Sequence, residues 1–264
     1  MRIDKFLSES YKISRTKAQE LIKQGLVFYD DKLVDKVSFE VVSENKVFVK
    51  DSKQYVSRGA YKLLGAIKDF NLNFKEKVVL DIGASTGGFT EVALENGAKK
   101  VYAVDIGENE LSPILQKDGR VINMHSTDFR SLTRDICKDV QMIIGDVSFV
   151  SLKHIFPKIV ELFGNKIEVC ILFKPQFECG LEQAKKYKGV VLDKKLHVKL
   201  LTDFVKYLQC LGFKISGLNY SKIKGKQGNI EYLFYLNGNK EKNYELKTLV
   251  YVAFVKLKVN NRFE

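Results

Sequence analysis

The stretch Lys77-Val78-Val79-Leu80-Asp81-Ile82-Gly83-Ala84-Ser85-Thr86-Gly87-Gly88-Phe89 decides the fold. Residues 78–82 are an apolar run of strand length, 83–88 a glycine-rich turn, and 89–94 have helical spacing. A strand, glycines and a helix N-terminus in that order let backbone approach a nucleotide-like ligand, because the turn lacks Cβ atoms and the first helical amides point outward. A second strand, 101–104, ends in Asp105, 24 positions after Asp81. An acid there is placed to accept hydrogen bonds from both ribose hydroxyls of an adenosine.

The spacing discriminates between cofactors. A dinucleotide fingerprint needs Gly-x-Gly-x-x-Gly, whereas Ser85 stands at the middle glycine position and Gly87-Gly88 follow, so close approach of a pyrophosphate is not provided for. The acid just before the turn, in Asp81-Ile82-Gly83, suits a ligand with an ammonium group and no phosphate. S-adenosylmethionine is the expected cofactor. Its expected contacts are Asp81, Gly83, Ala84, Ser85, Thr86, Gly87, Gly88, Phe89, Asp105, Asp128 and Asp146.

Outward from this unit, strands alternate with helices: β-runs near 120–124, 140–146 and 168–173, and helical patterns near 151–163 and 193–211. Two last β-runs, 213–220 and 230–236, have no helix between them. The pattern predicts an α/β protein with a doubly wound, Rossmann-like methyltransferase sheet that closes on an antiparallel hairpin at its edge. A small α+β module precedes it. There Ile3, Phe6, Leu7 and then Ala18, Leu21, Ile22 recur at helical spacing, with Ser14 as N-cap and Gly25 as stop, and β-runs follow at 26–29, 41–42 and 47–49. The expected domains are 1–54, a linker 55–61, and 62–264.

Lys and Arg number 44 against 32 Asp and Glu, a net charge of +12 on 264 residues of which 45% are hydrophobic. That apolar share excludes a disordered chain, and the basic excess favours a polyanionic partner such as nucleic acid. No apolar run approaches the roughly 18 residues of a membrane helix. With an acid at Asp4 ahead of any apolar run, a soluble, unexported, cytoplasmic protein with no membrane partner is expected. Cys137, Cys170, Cys179 and Cys210 form no Cys-x-x-Cys pair and read as reduced core cysteines. His125, His154 and His197 are scattered, so neither a metal site nor a Ser-His-Asp triad is expected.

In an open α/β sheet the ligand crevice lies beyond the carboxyl ends of the strands. Asp146 follows 143–145, Lys174 follows 171–173, Glu231 interrupts an apolar strand, and Lys62 sits on a helix ahead of the first strand. Each alone reads as an ordinary surface charge. Two acids and two lysines converging on one crevice would instead shift pKa values and could bring one lysine toward neutrality as an amine base. In the small module, Lys12, Arg15, Lys17 and Lys23 cluster around one helix, although residues 1–60 hold only 12 basic against 9 acidic side chains. A solvated helix face is the ordinary reading of that run.

Residues 2–7, 13–18 and 22–27 resemble the ribosomal protein S-four type RNA-binding domain, which grips structured RNA with a basic helix pair. The resemblance makes Arg2, Arg15, Lys17, Lys23 and Arg58 expected RNA contacts. The strings 56–63, 81–89, 146–152, 174–178 and 224–232 resemble the haemolysin-A-like (TlyA) ribosomal RNA 2′-O-methyltransferases, in one order from Arg2 to about Leu236. This resemblance implies an FtsJ-like domain with a Lys-Asp-Lys-Glu tetrad at Lys62, Asp146, Lys174 and Glu231. It also implies S-adenosylmethionine-dependent transfer to the ribose of a cytidine in ribosomal RNA or a ribosomal subunit, by a monomer or weak dimer.

The start lacks the longer basic arm of some members, which points to the large subunit as target. Residues 214–264, with 10 basic and 4 acidic side chains, include a tail after Leu236 without family counterpart. It reads as an extension of the RNA contact or as a solvated edge with a strand at 249–255. Two rival readings are a non-catalytic rRNA-binding assembly protein and a haemolysin. Intact Gly83, Asp105 and tetrad positions argue against the first, and the lack of a spanning or long cationic amphipathic segment argues against the second.

Overall fold

In the first of two units, Met1–Gln54, helices α1 (Ile3–Ser10) and α2 (Arg15–Lys23) put Ile3, Phe6, Leu7 and Ala18, Leu21, Ile22 into one core. The computed structural model describes residues 1–257 except 12, 31, 50–54, 109, 137 and 239–241, so Lys12, Cys137 and the end of the basic tail lie outside the described residues. The Ser14 side chain accepts from the Lys17 N–H, and Gly25 turns the chain at φ 72°. A three-stranded antiparallel sheet follows in the order β2 (Lys32–Leu33), β1 (Val27–Tyr29), β3 (Val47–Val49). The expected β-run at 41–42 is not a strand. Val41 is buried and its N–H donates to Met1 O, while Val42 is exposed, so the two valines serve core and surface rather than a ladder. The strand that pairs there instead, β2, is too short to show alternation.

Asp4 is fully buried and accepts from Arg2, Arg15 and Gln19 at 3.0–3.1 Å. Two arginines expected to touch RNA are therefore also braces of the helix pair. Burial would push the Asp4 carboxyl up, but the bonds from Gln19, Arg15 and Arg2 hold it down at about 2. Because the folded value lies below the ordinary 3.8, its stabilisation is fully present above that value and is lost as pH falls toward 2. Asp4→Ala should cost on the order of 2 kcal/mol. Hydrogen exchange in α1 and α2 measures it, and unchanged protection at neutral pH would contradict it.

The second unit, Tyr55–Glu264, runs α3 (Gly59–Phe70), β4 (Val78–Ile82), α4 (Gly88–Glu95), β5 (Lys100–Val104), α5 (Pro113–Gln116), β6 (Val121–Met124), β7 (Met142–Gly145) and α6 (Phe156–Phe163). It continues through β8 (Glu168–Phe173), α7 (Pro175–Glu178), α8 (Gly180–Lys186), α9 (Lys194–Cys210), β9 (Ile215–Tyr220), β10 (Tyr232–Leu236) and α10 (Leu246–Lys256). The sheet order is β6-β5-β4-β7-β8-β10-β9, with β10 antiparallel to both neighbours and the other pairs parallel. Alternation sorts the strands onto two cores. Val78, Leu80 and Ile82 join α6, α9 and α10 on one face, and Val79 joins α3 and α4 on the other.

Three expectations change here. Gly59–Tyr61 form the first turn of α3, and the Val56 N–H donates to Glu91, so the stretch read as a linker at 55–61 is tied to this unit. The strand expected at 249–255 is helix α10, because Val250, Ala253 and Phe254 at helical spacing pack against the core and Glu245 caps the start. Packing overrides the β-propensity of that valine-rich run. Of the described cysteines only Cys170 is a core residue, since Cys179 is half-buried and Cys210 exposed, and all three are free thiols.

Candidate active site

The order of connections reverses between β4 and β7, so the loops after both strands open into one crevice at their carboxyl ends. Gly83 leaves β4 at φ 79°, where an added Cβ would lie 3.2 Å from Val147 Cα and 3.3 Å from Asp146 O. Only glycine lets the two strand ends approach this closely. The Ser85 N–H donates to Asp105 Oδ2 at 2.8 Å and the Gly107 N–H to Oδ1 at 2.7 Å, so the acid at the end of β5 braces the glycine loop.

Gly88 begins α4, and a Cβ there would lie 2.1 Å from Ser57 Oγ and 2.9 Å from Ala60 N at the start of α3, the helix that carries Lys62. Gly88→Ala should therefore displace α3, cost about 1–3 kcal/mol as overpacking does, and lower turnover more than cofactor affinity. A thermal melt with kinetics checks it. Unaltered stability and turnover would show that the contact is slack.

Lys62, Asp146, Lys174 and Glu231, drawn from α3 and the ends of three neighbouring strands, meet in this crevice. Lys62 Nζ lies 3.1 Å from Asp146 Oδ2 and 2.8 Å from Glu231 Oε2, and Lys174 Nζ lies 2.6 Å from Asp146 Oδ1. Burial works against charge on Lys62, but Asp146 and Glu231 outweigh it and hold its pKa above the ordinary lysine value. Burial likewise opposes charge on Asp146, and Lys62 with Lys174 outweighs it, so that carboxyl stays below its usual range. Lys174 also donates to Ser148 Oγ at 2.6 Å and stands 5.7 Å from the Phe177 ring centre.

The tetrad and the loop residues Gly83, Ala84, Ser85, Thr86, Gly88 and Phe89 line one cleft of about 1150 Å³. Asp81 lies beneath the loop rather than on that lining. It is fully buried, accepts from Thr90 Oγ1 at 2.6 Å, and its Oδ1 has no hydrogen-bond partner among the described residues. Burial, with repulsion from Asp146 and Asp105, pushes its carboxyl up to about 7 against the Thr90 bond. Gly87, Asp105 and Asp128 are not on the lining either; Asp128 caps a short turn and pairs with Arg130 at 2.6 Å. Among the expected RNA contacts, Arg58 reaches Lys224 O at 3.4 Å, Lys17 pairs with Glu20 at 3.4 Å, and Lys23 is exposed.

Ser148, Gln176 and Glu178 also line the cleft and were not singled out from sequence, although each stands within a tetrad-bearing string. Gln176 donates to Glu231 Oε1 at 3.3 Å. Glu178 accepts from the Leu152 N–H at 2.8 Å and Ser151 Oγ at 2.5 Å, fixing the loop that carries Ser148. Their adjacency to the charged positions was the available signal. Among the described residues no cluster of three His, Cys, Asp or Glu could hold a metal ion, and no helix is long and apolar enough to cross a membrane.

Residues 55–238 match the FtsJ-like methyltransferase model and residues 1–47 the S4 domain model. The chain is 38% identical to Hemolysin A of Brachyspira hyodysenteriae, across 88% of this chain and 98% of that protein. It is 37% identical to the 23S rRNA (cytidine-2′-O)-methyltransferase TlyA of Campylobacter jejuni subsp. jejuni, across 89% and 98%. A solved structure from Streptococcus thermophilus is 35% identical, aligns over 98% of this chain and 97% of its own, and has a TM-score of 0.72.

Proposed function

The chain belongs to the FtsJ-like methyltransferase family, and on that premise we propose that it is a cytoplasmic enzyme methylating the 2′-O of a cytidine ribose in large-subunit ribosomal RNA. One observation carries the reading: a glycine loop and a Lys-Asp-Lys-Glu tetrad, whose two lysines and glutamate are buried, line a single cleft. The Campylobacter relative, named for the 23S cytidine 2′-O reaction, supports the substrate.

The cofactor we assign to the loop is S-adenosylmethionine, which supplies an electrophilic methyl group on a positively charged sulfur. The acids fit such a cation. Asp81, Asp105 and Asp146 are close enough for the latter two to raise the pKa of the first, a repulsion that a positive ligand relieves. Residues 83–89 and Asp146 would hold it, Asp105 its ribose, with Asp128 beyond and the Asp81 carboxylate acting through its field from beneath the loop.

A ribose hydroxyl is a poor nucleophile until its proton leaves. Lys174, in its amine form, takes that proton as the oxygen–methyl bond forms. Asp146 and Ser148 hold Lys174 Nζ in place, and Lys62, fixed as a cation between Asp146 and Glu231, orients the acids. The small unit supplies the grip on RNA through Arg2, Arg15, Lys17 and Lys23, with Arg58 beside the cleft. Purified protein with labelled S-adenosylmethionine and separated ribosomal subunits tests this. Ribose methylation, mapped by resistance to alkaline cleavage, is expected in the large subunit, and labelling of a base instead of a ribose would overturn the reading.

A further inference from the structure

Lys185 and Lys186 end α8, Lys188 follows it, and Lys226 lies on the turn before β10; all four are exposed. Elsewhere on this unit Lys77, Lys100, Lys158 and Lys222 hold Glu168, Asp139, Glu161 and Asp69 at 2.6–2.8 Å, so surface acids here do capture lysines within reach. The four have no such acid within ion-pair distance among the described residues. Lys186 stands only over the Tyr187 ring, at 5.4 Å.

The two segments make one rim. Ala184, Gly189, Lys226 and Gln227 line the same cleft as the tetrad, and a Cβ on Gly189 would lie 3.3 Å from Gln227 Oε1, so the two turns touch. The rim is also locked to the strand end that carries Glu231. Asn229, buried, donates from Nδ2 to Gly189 O at 2.8 Å and accepts at Oδ1 from the Val191 N–H at 2.9 Å. On the other side of Glu231, the Tyr232 hydroxyl lies 2.8 Å from His197 Nδ1, and His197 Nε2 lies 3.0 Å from Val191 O. A carbonyl only accepts, so Nε2 carries the proton and Nδ1 accepts from tyrosine. Burial keeps that imidazole neutral by lowering its pKa to about 4. Glu231 is thus bracketed by two locks on 189–191, the segment that directly follows Lys188.

Lys226 lines the cleft and Lys185, Lys186 and Lys188 stand between its lining residues Ala184 and Gly189 in the chain; cations so gathered beside a cleft fit a polyanion whose backbone passes outside it while one residue enters. We propose that Lys185, Lys186, Lys188 and Lys226 form a phosphate-gripping rim on the methyltransferase unit itself, holding the RNA backbone that flanks the methylated nucleotide. The inference rests on the RNA reading given above. It adds a second grip to that of the small unit, close to the chemistry.

The test is the full chain with all four lysines changed to Gln, bound to separated large ribosomal subunits across a salt series and assayed for methyl transfer, with S-adenosylmethionine affinity measured by calorimetry. Each phosphate contact contributes roughly 0.7–0.9 to the slope of log affinity against log salt, so losing four should make the slope shallower by about 3. The KM for subunits should rise tenfold or more, with cofactor affinity retained. A slope and KM equal to wild type would overturn the rim and leave the lysines an ordinary solvated face. Should the fourfold variant lose cofactor binding, Lys185→Glu with Lys186→Glu on the exposed end of α8 decides instead, and an unchanged slope there overturns the proposal. If wild-type protein methylates no ribosomal RNA, the functional reading fails separately, and the salt slope of subunit binding still judges the rim.

Discussion

Lys174→Ala should lower methyl transfer by about 10²–10⁴-fold, the range typical of a lost general base, while cofactor and RNA affinity stay near wild type. The side chain is buried at the end of β8, its nitrogen held by the Asp146 carboxylate and Ser148, and in the proposed mechanism it receives the ribose proton. Asp146 keeps Lys62 at 3.1 Å when Lys174 is gone, so the change does not leave that carboxylate unpaired. Lys174→Arg separates charge from proton acceptance, because a guanidinium stays protonated and cannot act as a base; it should be nearly as inactive as alanine. Combining Lys174→Ala with Lys62→Ala or Glu231→Ala should be far from additive, since the four groups act as one unit. Wild-type turnover by a folded Lys174→Ala protein would move suspicion to Asp146 or to positioning alone.

Asp105→Ala should weaken S-adenosylmethionine binding on the order of 10²–10⁴-fold, through loss of the two proposed charge-assisted hydrogen bonds of about 1.5–3 kcal/mol each. The structure adds a second route to the same loss. Both carboxylate oxygens already accept backbone N–H groups, from Ser85 and Gly107, so alanine also releases the glycine loop. Asp105→Asn keeps one acceptor and should fall between alanine and wild type. Unchanged cofactor affinity by calorimetry would refute the assignment, and tight NADH binding would do so more heavily.

The parallel sheet was legible because its central strands β4, β7 and β8 are buried on both faces and so read as continuous apolar runs, and the turn at 83–88 because glycines there relieve contacts that any side chain would make. The C-terminal segment was not legible. Val250, Tyr251 and Val252 favour a strand locally, and only the surface offered by the core, which takes Val250, Ala253 and Phe254 on one side, makes the segment a helix. The small sheet misled for a related reason: Val41 is apolar because it fills the core between the helices, not because it pairs with a neighbouring strand.

By itself, the sequence determined the seven strands of the large sheet in chain order, the glycine loop with Asp105 behind it, and the four charged positions near strand ends and on α3, since these follow from periodicity, backbone sterics and the placement of polar residues after apolar runs. Tertiary structure alone decided which charges are spent and which are free. It showed that Arg2 and Arg15 brace Asp4, that Asp128 is bound to Arg130, and that Asp81 lies under the loop. It also revealed that Lys62 and Lys174 share Asp146 although 112 positions separate the two lysines in the chain. The physical reason is range. Periodicity and turn chemistry act over a few residues, whereas ion pairing and burial depend on which distant segments the folded sheet brings within a few ångströms.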